Sequence, residues 1–579
     1  MKKNFILYIL PFCILISCKK LLDKPPLDTI TAQEMTFTKT QMELYANKYY
    51  TAFPGYSNGS FSLGIFEEDN SSDNMVAGDY NFNAQLSGTI TVPSSGGGWN
   101  WTEIRGINFF LANYQTTKES PQVANPYIGE MYFWRAWFYF SLMKQFGDLP
   151  WYNKPLTTES SELNDPRLSR SLIADSIIAD LDKAASFLPA KDKAISGRIH
   201  KDVALIFQSR VALYEGTWEK YHNGTVFGVA SADPSRFFKK AAEASRQIMN
   251  TTVYAIEPVG NDPALGYWRL FNQRDLSANR GVLLWKKFDK SLNLLNMSQN
   301  YFGVSDKNTG LSKYLVESYL CTDGRPISVS PLYQGDNLVE NVVKNRDPRL
   351  PQTMYVKGDP RVVVNGVASG VFTVPDLTFE SRLRNTTGYQ LDKGVDPAAD
   401  HALGDVNASI IFRYAEALLN YAEAKAELNE CDQVVLDATV NKLRDRVGMT
   451  HLVTSVGFTD PNWDFPGLSP LVNEIRRERR VELACEGYRF DDLMRWRATH
   501  LIKRPMLGAK MQQFIDIKNT FKPVLDPAAI PVNSAGYIAP HWNSPAKEGW
   551  QFDPAKHYLK PIPSNELVLN PNLKQNPSY

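Results

Sequence analysis

The first residues that could do chemistry are three consecutive acids, Glu67-Glu68-Asp69. Paired carboxylates catalyse glycoside hydrolysis, but that reaction needs two carboxyl groups held several ångströms apart on opposite sides of the bond. Adjacent acids in a predicted loop do not imply this separation. The run therefore favours a solvated or loop-capping role over catalysis.

A second cluster places four arginines within residues 474–483, where charge alone suggests an anion site. Glutamates alternate with these arginines, and residues three or four apart are neighbours on a helix. We therefore predict a self-neutralising helical network in place of an anion site. Its expected pairs include Arg479 with Glu482 and Asp491 with Arg495.

The sequence lacks the common catalytic and cofactor motifs. Its seven histidines fall singly, without the HExxH pair of zinc proteases, and it has no Walker A, GxGxxG or GxSxG motif. Beyond the N-terminal segment only Cys321, Cys431 and Cys485 remain, an odd and widely spaced set that suits neither a disulfide framework nor a zinc site. We predict no catalytic residue, no metal site and no cofactor.

The N-terminus has the pattern of an export signal. Lys2 and Lys3 precede an apolar run over residues 5–17, which is too short to span a bilayer. The run ends at Leu15-Ile16-Ser17-Cys18, which is similar to the lipobox of bacterial lipoproteins. The sequence therefore predicts a signal peptide at 1–17 and lipid attachment at Cys18, with a plain secretory signal as the alternative.

Composition places the rest of the 579 residues among ordinary globular proteins. Lys plus Arg is 63 against 62 for Asp plus Glu, which gives a formal net charge of +1. This balance argues against a general nucleic-acid binder, which needs a basic excess. No other stretch approaches the 18 apolar residues expected of a membrane-spanning helix.

Apolar residues recurring at spacings of three and four predict a mostly α protein. Short polar connections favour antiparallel helix hairpins, and hairpins of this size indicate a tetratricopeptide-like stack. Between the two helical parts, Gly, Pro, Asn and Asp break up short β-like pieces at 282–285 and 362–364. The predicted helices cover about 99–113, 128–146, 171–188, 200–216, 234–249, 409–429, 434–447 and 471–499.

This pattern predicts one domain over residues 18–579. A helical scaffold covers about 30–252 and 405–500, a long irregular loop-rich insert covers about 253–404, and an extended tail covers 501–579.

Four segments, taken in order, resemble one known family. They read RAWFYFSL…FGDLP at 135–150, RYAEALLNYAEA at 413–424, ERRVEL…EGYRFDDLMRW at 478–496 and YLKPIP…NP…QNPSY at 558–579. Each is similar to a conserved stretch of the SusD/RagB family of outer-membrane nutrient-uptake lipoproteins, with Ser578 where the family usually has glycine. Together with the lipobox and with weaker matches at 104–111, 323–326 and 345–350, they are spread in order along nearly the whole chain.

The resemblance implies a lipid-anchored outer-membrane protein that faces outward and caps a SusC-like TonB-dependent transporter. Such a protein captures a nutrient, commonly a glycan or oligosaccharide, and passes it inward without breaking a bond. Two alternatives remain open: a lipid-anchored glycoside hydrolase, and a transporter-capping scaffold without its own ligand site. A peptide ligand also remains open.

Sugars bind by stacking on exposed aromatic rings beside planar polar side chains. The best local match is Trp99-Asn100-Trp101, which follows a glycine-rich loop, and the family resemblance favours ligand contacts in this region and in the insert. Within the insert we predict Trp268 and Tyr301 as further ligand-binding residues.

Overall fold

The computed structural model describes residues 36–56, 62–304, 307–364, 367–378, 383–398 and 404–579. The predicted signal peptide and Cys18 lie outside the described residues. None of the helices within these ranges is long and apolar enough to cross a membrane.

The first helical part contains six α-helices, and α3 to α6 pack consecutively as antiparallel hairpins. Gly147 ends α3 because its φ of +74° is a conformation that glycine adopts without strain, as the Gly-Asp-Leu-Pro pattern predicts. The helices are α1 (Lys39–Asn47), α2 (Thr102–Asn113), α3 (Pro121–Phe146), α4 (Arg170–Phe187), α5 (Lys201–Tyr221) and α6 (Pro234–Met249).

The insert contains short elements joined by turns, as predicted. Its pieces at 282 and 362 are strands, and β2 pairs with β3 in an antiparallel hairpin. The elements are α7 (Gly266–Leu270), β1 (Val282–Lys286), α8 (Ser298–Val304), α9 (Lys313–Ser318), α10 (Val339–Val342), β2 (Pro360–Val364) and β3 (Val367–Val371).

The C-terminal part returns to helices, and α11 packs against α6 and α14. The mostly α, helix-hairpin fold class with a loop-rich insert is thereby confirmed. The elements are β4 (Ser409–Arg413), α11 (Tyr414–Glu427), α12 (Gln433–Ala438), α13 (Val440–Val447), α14 (Pro470–Glu482), α15 (Arg489–Arg495), α16 (Thr499–Ile502), α17 (Gln512–Asp516) and α18 (Ser564–Leu569).

Three predicted helices are wrong in detail. The first five residues of the 409–429 helix form β4, which pairs antiparallel with β1 and places Ile410 opposite Trp285. The 434–447 helix breaks at Thr439, which has non-helical backbone angles. The 471–499 helix divides into α14, α15 and α16, because Cys485 and Gly487 adopt φ values of +60° and +76° between the first two.

Two large hydrophobic clusters form the core, one among the helix hairpins and one beneath the insert, and a small third cluster lies by α12. Trp134 and Trp218 are the largest fully buried side chains of the first cluster. Cys321 and Cys485 are buried and Cys431 is half-buried, and none of the three forms a disulfide within the described residues.

A buried ionic network, here called the Glu482 network, joins the insert to the helices. Glu482 on α14 accepts hydrogen bonds from Arg349 of the insert (3.0 Å), Arg413 at the end of β4 (2.7 Å) and Arg446 on α13 (2.7 Å). These four side chains are all buried. Arg349 lies in the insert, whereas Glu482, Arg413 and Arg446 lie in the helical scaffold. These hydrogen-bonded ion pairs therefore hold the insert against the scaffold.

The charges of this helical segment are neutralised, but the two predicted local pairs, Arg479 with Glu482 and Asp491 with Arg495, are wrong. Arg479 pairs with Asp492 at 2.9 Å, and Asp491 pairs with Lys144 at 2.6 Å. Arg495 binds Glu423 on α11 at 2.5 Å. The break after α14 turns these side chains toward other elements, so that pairs between helices join local pairs such as Arg477 with Glu474 and Arg495 with Asp492.

Candidate ligand-binding cleft

A cleft of about 560 Å³ opens between α9 and the start of α14, and we call it the α9–α14 cleft. One wall is α9 with the loop 326–328, and the other is the loop 460–466 that leads into α14. Arginines of α14 and α15, with His500 and Arg504, complete the lining. Ligand pockets commonly have volumes of about 300–1,000 Å³, so the cleft can hold a small oligosaccharide or a segment of a longer chain.

Trp463 is the aromatic side chain that distinguishes this cleft. Nine of the twelve tryptophans, all within the described ranges, lie in or pack against a hydrophobic cluster. Trp463, Trp268 and Trp542 do not. Trp463 is half-buried, lines the cleft and donates its indole N–H to Glu474 at 3.3 Å. An indole that the core does not use is available for stacking on a ligand.

The loop that carries Trp463 is held by hydrogen bonds at both ends. The Asp460 carboxylate accepts hydrogen bonds from Ser328 (2.7 Å) and from Arg477 (2.5 Å). The Asn473 side chain accepts from the Phe465 N–H at 3.0 Å and donates to the Phe465 carbonyl at 2.8 Å. These contacts position the loop before a ligand arrives, which reduces the entropy lost on binding.

Tyr314 provides a second ring on the opposite wall. Its hydroxyl donates to the Pro505 carbonyl at 2.8 Å, and the Arg504 guanidinium lies 3.7 Å from its ring centroid. Burial raises the pKa of Tyr314. The ring is thus fixed on α9 with one side covered by a cation, which is the arrangement of a cation–π contact.

Behind the cleft, Asp73 holds three arginines in place. It is fully buried and bonds to Arg489 at 2.6 Å, to Arg504 at 2.7 Å and to Arg480 at 3.2 Å. Burial acts to raise the pKa of Asp73, but the three guanidiniums outweigh it and hold the pKa well below its usual range. The same three arginines lie 3.3–3.6 Å from Asp464, which is 30% exposed to the cleft.

The cleft therefore combines an aromatic face with planar polar groups of fixed orientation. Carboxylates and guanidiniums can each make two parallel hydrogen bonds, which suits the paired hydroxyls of a sugar ring. The carboxylates at the cleft are bound to cations: Asp460 to Arg477, Asp464 to Arg504, and Glu317 to Lys313. Aromatic and polar groups held in this way suit the binding of a sugar ring.

The structure places Trp99, Asn100 and Trp101 together, away from the cleft. Trp99 is 7% exposed and packs edge-on against Phe146 at 5.0 Å and against Trp101 at 5.4 Å. Trp101 is half-buried and also contacts Tyr152, and Asn100 accepts a hydrogen bond from the Thr102 N–H that opens α2. Ligand binding by these three residues stays a prediction.

The two predicted residues of the insert lie elsewhere on the molecule. Trp268 is half-buried and donates its indole N–H to the Asp392 carbonyl at 3.2 Å. Tyr301 on α8 is half-buried, packs against the cluster beneath the insert, and has the Lys307 ammonium 5.4 Å from its ring. Neither lines the α9–α14 cleft, and their ligand binding also stays a prediction.

The acidic run Glu67-Glu68-Asp69 has the loop-capping role expected for it. Asp69 is fully buried and accepts hydrogen bonds from the backbone N–H groups of Cys485 (2.7 Å) and Gly487 (3.2 Å). Burial raises the pKa of Asp69 to about 6. The carboxyl group closes the turn between α14 and α15 and does not line the cleft.

Sequence reasoning missed Trp463 and Tyr314. Asn462-Trp463-Asp464 carries the same signal as Trp99-Asn100-Trp101, namely an indole beside planar polar residues in a turn-rich loop. Tyr314 has no such signal, because only the folding of α9 against the 460–466 loop brings it to the cleft.

Trp99→Phe is expected to lower the free energy of unfolding by about 1–2 kcal/mol, because it replaces a buried indole in a packed cluster with a smaller ring. Urea unfolding of the variant measures this loss. An unchanged midpoint contradicts the packing described for Trp99. Glycan titration of the same folded variant then tests whether Trp99 also contacts ligand.

Comparison with known families decides where this fold belongs. The family model described as the SusD family matches residues 277–579, just over half of the chain. The chain belongs to the SusD family. A second model, described as starch-binding and associating with the outer membrane, matches residues 22–213. The SusD/RagB resemblance of the four sequence segments is thereby confirmed.

Relatives and solved structures agree with this assignment along most of the chain. SusD-like protein P38 of Formosa agariphila is 24% identical over 512 residues, which cover 87% of this chain and 92% of that protein. A SusD-like carbohydrate-binding protein from Bacteroides fragilis has a TM-score of 0.69 at 24% identity and covers 93% of this chain and 99% of that one. A laminarin-binding SusD-like protein has a TM-score of 0.57 at 18% identity, with 94% of this chain and 100% of that chain covered. At these identities the structures establish a shared SusD-like fold.

Proposed function

We propose that this SusD-family protein captures a glycan in the α9–α14 cleft and releases it unbroken. The observation that carries the proposal is Trp463, an indole outside every hydrophobic cluster of the described residues that lines a cleft of about 560 Å³. Binding energy then comes from stacking on Trp463 and from hydrogen bonds to the anchored polar groups around it.

The family supports this proposal. The B. fragilis neighbour is described as carbohydrate-binding, and another neighbour as laminarin-binding. Asp464 is disfavoured as the acid of a glycoside hydrolase, because a general acid must hold a proton, whereas Arg504, Arg480 and Arg489 outweigh burial and lower the pKa of Asp464.

We further propose that the protein is anchored in the outer membrane through lipid on Cys18, faces outward, and passes its ligand to a SusC-like TonB-dependent transporter. The lipobox pattern and the family supply the support. Residues 18–579 act as one domain in this proposal, because the Glu482 network crosses between the insert and the scaffold. The anchor is tested by replacing Cys18 with alanine, after which the protein should leave the membrane fraction.

Trp99, Asn100, Trp101, Trp268 and Tyr301 remain proposed ligand contacts outside the cleft. Trp268 has the strongest support of the five, since it too lies outside the hydrophobic clusters. Ligand contacts at these residues would be additional to those of the α9–α14 cleft.

The proposal is tested by calorimetric titration of residues 19–579 with a panel of polysaccharides and peptide mixtures, with the size of each polysaccharide measured afterwards. Binding without cleavage is the expected result. Cleavage would establish the hydrolase instead. Binding of peptides alone would assign a different ligand, and binding of nothing in the panel would favour the scaffold role.

A further inference from the structure

A second hollow adjoins the α9–α14 cleft at His500. It has a volume of about 480 Å³ and is lined by Tyr221, Trp496, Arg497, Thr499 and Lys503, with His500 shared between the two. We call the cleft and this hollow together the His500 groove. Its lining extends the binding surface from the Trp463 loop to the start of α16.

The charges along this groove are unequal. Of the described residues, five cations and three carboxylates line the cleft, and two further cations, Arg497 and Lys503, line the hollow without any described carboxylate. Arg497 and Lys503 are both exposed, and within the described part of the chain neither has a carboxylate oxygen within the 4.0 Å of an ion pair.

The charges behind the cleft do not cancel this excess. Buried Asp73 is shared by Arg480, Arg489 and Arg504, so that one carboxylate faces three guanidiniums, with Asp464 as their only other acidic partner among the described residues. The Asp460 and Glu474 carboxylates bind Arg477.

Arg476, one of the five cations that line the cleft, is incompletely paired. It is 2% exposed, and its one ion pair among the described residues is to Glu427 at 3.1 Å, which Lys220 also binds. In the same part of the chain its Nε and Nη1 atoms have no hydrogen-bond partner, and its guanidinium lies 4.3–4.4 Å from the ring centroids of Trp496 and Phe465. A buried cation held by ring faces extends a positive field into the groove, where the local dielectric is low.

We infer that the His500 groove selects acidic glycans, whose carboxylate or sulfate groups are bound at the Arg497 and Lys503 end while a sugar ring stacks on Trp463. This inference rests on the proposed glycan-binding function and adds the substrate class. Arg497 and Lys503 are free to make charge-assisted hydrogen bonds, which are stronger than neutral ones.

The test compares acidic and neutral forms of the same backbone. The first pair is polygalacturonate and its methyl ester, which probes carboxylates, and the second is dextran sulfate and dextran, which probes sulfates. Residues 19–579 are titrated calorimetrically at low and at physiological ionic strength. We expect at least one acidic member to bind about tenfold more tightly than its neutral form, and this preference to fall with added salt.

A double variant tests whether the preference for acidic glycans comes from Arg497 and Lys503. Arg497→Gln with Lys503→Gln is expected to weaken binding of the acidic glycan about five- to tenfold, corresponding to up to about 1 kcal/mol for each exposed pair. The matched control is Arg105→Gln with Lys193→Gln, which removes two exposed cations that do not line the groove. The control should bind as the unaltered protein does.

Each result has a distinct meaning. Equal or tighter binding of the neutral forms overturns the inference and leaves the proposed glycan capture intact. Equal weakening by the groove variant and its control also overturns it, since attraction is then general to the surface. If no member of either pair binds, the inference fails, and the wider glycan panel alone decides whether the proposed function fails with it.

Discussion

Glu482→Gln is expected to lower the free energy of unfolding by about 3–5 kcal/mol, the cost of breaking a buried ion pair. Glu482 is fully buried and neutralises Arg349, Arg413 and Arg446 at distances of 2.7–3.0 Å. The glutamine amide keeps the shape of the side chain, but it removes the charge and points N–H groups toward guanidiniums. Because one of the arginines lies in the insert and two lie outside it, the loss should loosen the packing between these parts.

Urea or thermal unfolding measures this effect, and a surface pair provides the control. Glu257→Gln removes the partner of Arg280 in an exposed pair with a distance of 3.2 Å, and it should change stability by less than about 1 kcal/mol. Similar losses for both variants would contradict the structural importance of the Glu482 network.

The pH dependence of stability follows from the same site. Burial acts to raise the pKa of Glu482, but Arg446, Arg413 and Arg349 outweigh it and lower the pKa far below its ordinary value. A carboxyl group with a lowered folded-state pKa stabilises the fold above its unfolded-state pKa, and this contribution is lost as the pH falls toward the folded-state value. Stability of the unaltered protein should thus decrease below about pH 4.5, and Glu482→Gln should reduce that decrease.

Trp463→Ala is expected to weaken glycan binding about tenfold or more, which is the loss typical of a central aromatic contact in a binding site. The same change should lower stability only slightly, because Trp463 packs in none of the hydrophobic clusters of the described residues. A large loss of stability would mean that the indole supports the 460–466 loop, and the binding result would then have to be repeated with Trp463→Phe.

The helix hairpins could be predicted from sequence because each helix has its own apolar periodicity and its own end signal, such as Gly147 after α3. β4 could not, since its residues continue the apolar pattern of α11 and only pairing with β1 makes them a strand. The turn after α14 could not be predicted either, because no sequence signal indicates that Cys485 adopts a φ of +60°. Ser578 shows the reverse case: it stands where the sequence resemblance implies glycine, and its φ of +64° lies in the left-handed region that favours glycine.

The candidate site was harder to predict than the fold because its residues meet only after folding. Asp73 and Arg489 are 416 positions apart, yet their side chains are bonded at 2.6 Å. Trp99 and Trp463 both lie beside planar polar residues in turn-rich loops, and the sequence cannot tell a packed indole from an available one. Trp99 packs against Phe146 within a hydrophobic cluster, whereas Trp463 lies outside the hydrophobic clusters of the described residues.

The most direct test of the central claim is a side-by-side calorimetric titration of Trp463→Ala and Trp542→Ala with a glycan that the unaltered protein binds. Trp542 is the matched control, because it is also half-buried and outside the hydrophobic clusters but does not line the cleft. Capture in the α9–α14 cleft predicts that Trp463→Ala loses about tenfold or more in affinity while Trp542→Ala binds normally. Normal binding by Trp463→Ala would contradict it and place the glycan elsewhere on the protein.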